Sequence, residues 1–178
     1  LSRNTKPRFL TARITHLEMT APSGRHVHPP LGFRIAIMRA EKMPPAFYRF
    51  LYEQVGRTHH WSLRRDMEDD ELRAVIHAEA TEISVLYVDG SPAGFFELDT
   101  ARKPDEVEIV YFGLVPDFQG RGLGAFFLSE TVSAAWAHDP AKVTIHTNTL
   151  DSPRALQLYQ KAGFTPVSWS EETIQAWD

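Results

Sequence analysis

The sequence predicts an α+β domain: a mixed, mostly antiparallel central sheet flanked by helices. Three observations predict it. In mid-chain, "EISVLYV", "AGFFELD" and "VEIVYFGLV" are consecutive strand-like runs joined by short polar turns. After them, helical and extended patterns alternate through "AFFLSETVSAAWAH", "KVTIHTNT", "SPRALQLYQKA" and "FTPVSW". The 178 residues suffice for one domain with a sizeable core and hardly for two, so residues 1–178 are read as a single domain.

The elements follow in order. "RFLTARITHLEM" alternates as a strand from about Phe9 to Met19. "TAPSGRHVHPPLG" is rich in Pro, Gly and Ser and reads as a loop, so residues 1–32 form an N-terminal strand and loop. "FRIAIMRA" alternates again from Phe33. Pro44 and Pro45 suit the first turn of a helix, where a missing N–H costs nothing. That helix runs to Gly56, with Phe47, Phe50, Leu51 and Val55 on its expected apolar face. "GRTHHWSLRRDM" is a polar loop around one large aromatic, and "EDDELRAVIHAEA" is a helix with acids in its first turn, where the dipole favours them. Asp89-Gly90-Ser91 marks a tight hairpin turn. Gly163 ends the last helix as a C′ glycine. Pro166 confines the final strand to an edge or a bulge.

Composition narrows the functions. With 43% apolar and 24% charged residues the chain is an ordinary globular sequence. A net charge of -4 argues against a basic face for nucleic acid. Cysteine is absent, which removes disulfides, thiolate nucleophiles and cysteine zinc sites. No run reaches membrane-span length, and the start lacks the layout of a signal peptide, so a cytoplasmic protein is expected, with neither membrane nor nucleic acid as partner.

One stretch carries chemistry. "DFQGRGLGAFF", residues 117–127, places three glycines between a strand ending near Val115 and a helix starting near Gly124. Unpaired N–H groups at a helix N-terminus carry partial positive charge, and glycines admit a ligand close to the backbone. Such a loop cradles phosphate. A P-loop needs Gly-Lys-Ser/Thr, which is absent, and the dinucleotide fingerprint needs a different glycine spacing. Gln119-x-x-Gly122-x-Gly124 fits a third pattern, Q/R-x-x-G-x-G/A. With "IVYFGLVPDFQGRGLGAFFL" before it and "PRALQLYQKAGF" after it, the chain resembles the GNAT superfamily of acetyl-CoA-dependent N-acetyltransferases over about residues 80–168.

The resemblance implies a GNAT fold whose strand 107–115 splays from its neighbour. It implies acetyl-CoA as co-substrate, no metal, and direct attack by a primary amine in a ternary complex. The alternative is the same fold sensing acyl-CoA without turnover. Carried onto this chain, the freed backbone groups that pair with pantetheine belong to Phe112, Gly113 and Leu114. Phe112 N–H is the expected donor to the acetyl carbonyl. The N–H groups of Gly120, Arg121, Gly122, Leu123 and Gly124 take the pyrophosphate, with the Gln119 and Arg121 side chains flanking. Glu108 stands where histone-type members place their base, with His146 and Glu97 as rivals on neighbouring strands. Tyr159 matches the tyrosine that protonates the leaving thiolate. Ser152 replaces the usual asparagine near CoA, and Asn148 stands close enough in sequence to substitute.

Tyr52 and Trp61, with Glu97 and His146, are the candidate acceptor-side residues; Tyr48 reads as a packing residue. The acceptor is a small-molecule or lysine-type amine, and a homodimer is compatible with the resemblance. The pairs His26/His28 and His59/His60 lack further ligands at metal spacing and read as polar loop residues.

Overall fold

The computed structural model of the protein describes residues 6–177. Residues 1–5 and Asp178, on which the expected start and the outer limits of the single domain fall, lie outside the described residues. The strands are β1 (Phe9–Met19), β2 (Ile35–Arg39), β3 (Thr81–Val88), β4 (Ser91–Asp99), β5 (Glu106–Leu114), β6 (Lys142–Asn148) and β7 (Thr165–Gln175). The helices are α1 (Pro45–Gly56), α2 (Asp69–Ile76), α3 (Leu123–Trp136) and α4 (Ala155–Ala162).

One sheet of seven strands runs in the order β2-β3-β4-β5-β6-β1-β7. Every neighbouring pair is antiparallel except β5 with β6. The N-terminal strand therefore lies between two C-terminal strands, with His16 opposite His146 on one side and Ser168 on the other. β7 is an edge strand, as Pro166 requires, and its ladder shifts register beside that proline. It continues past the expected "FTPVSW" to Gln175 because β1 supplies a full-length partner.

The sheet is covered differently on its two faces. α3 and α4 pack over Leu17, Leu98, Ile109, Ile145 and Phe164. α1 and α2 pack over Val85, Phe95 and Tyr111 on the opposite face. Ile109 and Tyr111 belong to different clusters although they are two apart. A bulge explains this: Glu97 pairs with Tyr111 but Leu98 pairs with Ile109, leaving Val110 as the extra residue. The bulge inverts the alternation, sending Tyr111 toward α1 and Phe112 toward α3.

The expected apolar face of α1 needs one correction. Tyr48, Leu51, Tyr52 and Val55 are its buried face, whereas Phe50 is 46% exposed. Tyrosines were tolerated inward because Tyr48 Oη donates to Glu97 Oε2 at 2.5 Å and Tyr52 Oη lies 3.5 Å from Tyr111 Oη. α1 lies very close to β5. A Cβ on Gly113 would stand 2.3 Å from Val55 Cγ1, so only glycine admits this approach.

Candidate active site

β5 and β6 pair in parallel from Glu106–Lys142 to Ile109–Ile145 and then part. The gap opens a cavity of about 650 Å³. One end meets the glycine loop at Gln119, Gly120 and Gly124; the other is bounded by Trp61, His146 and Glu172.

The backbone facing the gap follows from register. Val115 N–H donates to Ala93 C=O at 2.8 Å, and hydrogen-bonded positions alternate along an antiparallel pair. Tyr111, Gly113 and Val115 thus turn their N–H and C=O groups toward β4. Phe112 and Leu114 turn theirs into the gap, where the Gln119 amide reaches Leu114 C=O at 3.4 Å. Gly113 therefore departs from the expectation. Its backbone is committed to β4, and its contribution is the missing side chain beneath Val55.

The loop supplies the cradle. Gly120 and Gly122 have φ of 73° and 78°, the left-handed region that glycine enters without strain. No side chain caps α3, and a Cβ on Gly120 would meet nothing within 4 Å. The first N–H groups of α3, without a side-chain cap, carry the positive end of the dipole. Leu123 is wholly buried and offers only its backbone. The Arg121 side chain is exposed, its guanidinium 5.6 Å from the Phe118 ring centre.

Tyr159 lines the cavity beside Phe112, their ring centres 6.3 Å apart. Its hydroxyl has no hydrogen-bond partner among the described residues. Burial, with Asp151 adding, pushes its pKa well above the ordinary value, so the phenol keeps its proton. Asn148 and Ser152 also line the cavity, but both are used locally. Asn148 Oδ1 accepts from Leu150 N–H at 2.8 Å, and Ser152 Oγ from Arg154 N–H at 3.4 Å.

At the far end of the cavity, Trp61 packs tilted against the Tyr111 ring at 4.7 Å and the Tyr52 ring at 5.5 Å, and all three line the cavity. Glu97 does not. It is 1% exposed and accepts from Arg64 at 2.8 Å and from Tyr48. Burial opposes Arg64's charge, but Glu97 outweighs it and raises its pKa above the ordinary value. Glu97 thus anchors the loop that presents Trp61. Glu108 lies outside the lining too, whereas His146 is part of it.

Sequence reasoning missed Tyr111, whose direction depends on the bulge, and Asp151, Arg154 and Glu172. Arg154, in the turn before α4, is the only Arg or Lys among the described residues of the lining. His60 accepts from Trp177 N–H at 3.0 Å, and His59 contacts Leu150 C=O at 3.2 Å. Among the described residues no cluster of three or more His, Asp or Glu could hold a metal.

A family model described as "Acetyltransferase (GNAT) domain" matches residues 51–177. The chain belongs to the GNAT acetyltransferase family. Solved structures share the GNAT fold. A functionally unknown conserved protein from Staphylococcus epidermidis superposes with a TM-score of 0.65 at 16% identity, covering 94% of this chain and 62% of that one. A GCN5-related N-acetyltransferase from Kribbella flavida gives 0.63 at 14%, covering 94% and 60%. One from Sphaerobacter thermophilus gives 0.61 at 16%, covering 97% and 55%. The chain thus spans less than two thirds of the length of these relatives. No curated protein sequence matches it. Among the described residues no helix is long and apolar enough to cross a membrane.

Proposed function

We propose that this GNAT domain transfers the acetyl group of acetyl-CoA to a primary amine by direct attack in a ternary complex. One observation carries the reading: the β5–β6 gap runs without interruption from an uncapped, glycine-lined helix N-terminus to a pocket walled by Trp61, His146 and Glu172. A phosphate-bearing thioester and an amine would meet in it.

The residues present fit acetyl-CoA. The N–H groups from Gly120 to Gly124 suit pyrophosphate, with Arg154 a charge-assisted neighbour. The gap-facing groups of Phe112 and Leu114 suit the pantetheine amides. Phe112 N–H would also polarise the thioester carbonyl, where negative charge grows during attack. Tyr159, held protonated, would give its proton to the departing thiolate. No cysteine exists to carry an acyl group, in keeping with direct transfer. Glu172 and Asp151 give the acceptor side a negative bias that admits an ammonium group.

The test is thiol release from acetyl-CoA across a panel of amines, read with a thiol reagent that in a cysteine-free protein reports CoA alone. Release that depends on an amine and disappears in Gly122→Glu supports the reading. A protein stabilised by acetyl-CoA that releases no thiol with any amine would favour the acyl-CoA sensor.

A further inference from the structure

The amine reaching this site carries a proton that must leave before nitrogen can attack, since its pKa is about 10. Glu108 and His146 compete for that role, and their surroundings separate them.

The two stand at the fork of the sheet. Glu108 is one residue before the last β5–β6 pair, and His146 one residue after it. They share the face that α1 and α2 leave uncovered, and the splay begins between them. His146 lines the cavity; Glu108 lies behind it and does not.

The two oxygens of Glu108 face different partners. Oε2 accepts from Arg102 at 2.7 Å, and Oε1 lies 3.6 Å from His146 Nδ1. Arg102 is itself shared with Glu106 at 3.0 Å. Contact with Nδ1 favours the tautomer that carries hydrogen there and leaves Nε2 as the ring's acceptor. Among the described residues Nε2 has no partner. The neighbouring His16 is different: its Nε2 is 3.1 Å from Ser170 Oγ, and it does not line the cavity.

We infer that His146 takes the proton from the acceptor amine at Nε2, and that Glu108 acts through it as a positioning residue. This rests on the acetyltransferase reading. The proton balance is simple. An ammonium gives one proton to His146, and the free amine forms the C–N bond. Collapse breaks the C–S bond, and the nitrogen sheds its second proton as the thiolate gains one. His146 then returns its proton to solvent.

The charges around His146 favour its cationic form. Glu108 faces it from β5, Asp151 from the turn before α4, and Glu172 from β7; the His16 ring on β1 also lies against it, 6.1 Å between ring centres. Contact with Glu108 raises the His146 pKa above its ordinary value, against burial, with Asp151 and Glu172 adding. The same contact holds Glu108's carboxyl below its ordinary range, against burial, with Arg102 and His16 adding. A base raised in this way removes an ammonium proton with less loss of driving force.

The test is the pH profile of kcat/KM with cadaverine and phenethylamine for wild type, His146→Gln and Glu108→Gln. His146→Gln should lose about 100-fold or more in kcat and its acid limb, with stabilisation by acetyl-CoA intact. Glu108→Gln should keep substantial activity and move the acid limb to lower pH, because the imidazolium loses its partner. A Glu108→Gln variant dead at every pH beside a near-normal His146→Gln would make Glu108 the base and overturn the inference. So would limbs that stay in place in both variants. NMR titration of the His146 ring is a readout independent of turnover. Its midpoint should fall in Glu108→Gln, and an unmoved midpoint would also overturn the coupling. Absence of thiol release in wild type with every amine would remove the acetyltransferase reading, and the base role with it, whether or not the NMR coupling is seen.

Discussion

Glu97 offers a sharp test, because sequence alone allows it to touch the acceptor and the structure puts it beneath the loop that carries Trp61 and Arg64. Consider Glu97→Gln. The change removes one charge from a buried ion pair in which Arg64 lies at 2.8 Å and Tyr48 at 2.5 Å. Arg64's side chain is only 16% exposed, and its Nε is already buried without a partner among the described residues. Breaking one side of such a pair costs about 3–5 kcal/mol; an amide can still accept from Tyr48, so about 3 kcal/mol is expected. For a chain of this size that is a fall in Tm of roughly 6–12 °C. Arg64→Met should cost a similar amount. The double variant should recover at least about 2 kcal/mol of the summed loss, since neither charge is then left alone. Urea unfolding at unchanged m measures all four proteins. Function should follow the loop: KM for the amine rises while stabilisation by acetyl-CoA is retained. A Glu97→Gln protein within about 0.5 kcal/mol of wild type, or strictly additive losses, would refute the anchoring role.

Three further outcomes are expected. Gly113→Ala drives a Cβ to 2.3 Å from Val55 Cγ1 and should cost about 1–3 kcal/mol, with Val55→Ala restoring most of it in the double variant, as measured by urea unfolding. Tyr159→Phe deletes a hydroxyl that bonds nothing described, so stability should change by under about 1 kcal/mol while kcat falls about 100-fold or more; an unchanged kcat removes its acid role. The Glu108–His146 pair should stabilise the fold most between pH 4.5 and 6.5, the ordinary values of its two groups. Glu108, lowered in the fold, gives its contribution above the unfolded value and loses it as pH falls through the folded one. His146, raised in the fold, gives its contribution below the unfolded value and loses it as pH rises through the folded one. Thermal unfolding of wild type and of the double Gln variant across pH should show the largest gap inside that window.

What the sequence made legible was local. Asp89-Gly90 set the β3–β4 turn, Gly163 closed α4 at φ 115°, and the spacing of Gln119, Gly122 and Gly124 announced the loop before α3. Phe112, Leu114 and Tyr159, named from the motifs, all border the cavity. What stayed hidden depends on distant contacts. β1 enters between β6 and β7, a pairing across more than a hundred residues that no periodicity encodes. The bulge at Val110 reverses the alternation of β5, so Tyr111 and Phe112 face opposite to what a regular strand extended from Val107 and Ile109 would give. α1 turned Tyr48 and Tyr52 inward and left Phe50 outside, because Glu97 and Tyr111 wait there as partners for phenols. Glu108 matched a family position, yet Arg102, six residues away in the β4–β5 turn, holds its Oε2, and the carboxylate stands outside the cavity lining.

The central claim is that acetyl-CoA lies in the β5–β6 gap against particular backbone groups. Residue-resolved amide hydrogen exchange by NMR, with and without acetyl-CoA, tests it most directly. Phe112, Leu114 and the amides from Gly120 to Gly124 should gain protection, while Gly113, already bonded to β4, should change little. Protection confined to other strands, or none at those amides under saturating acetyl-CoA, would contradict the account.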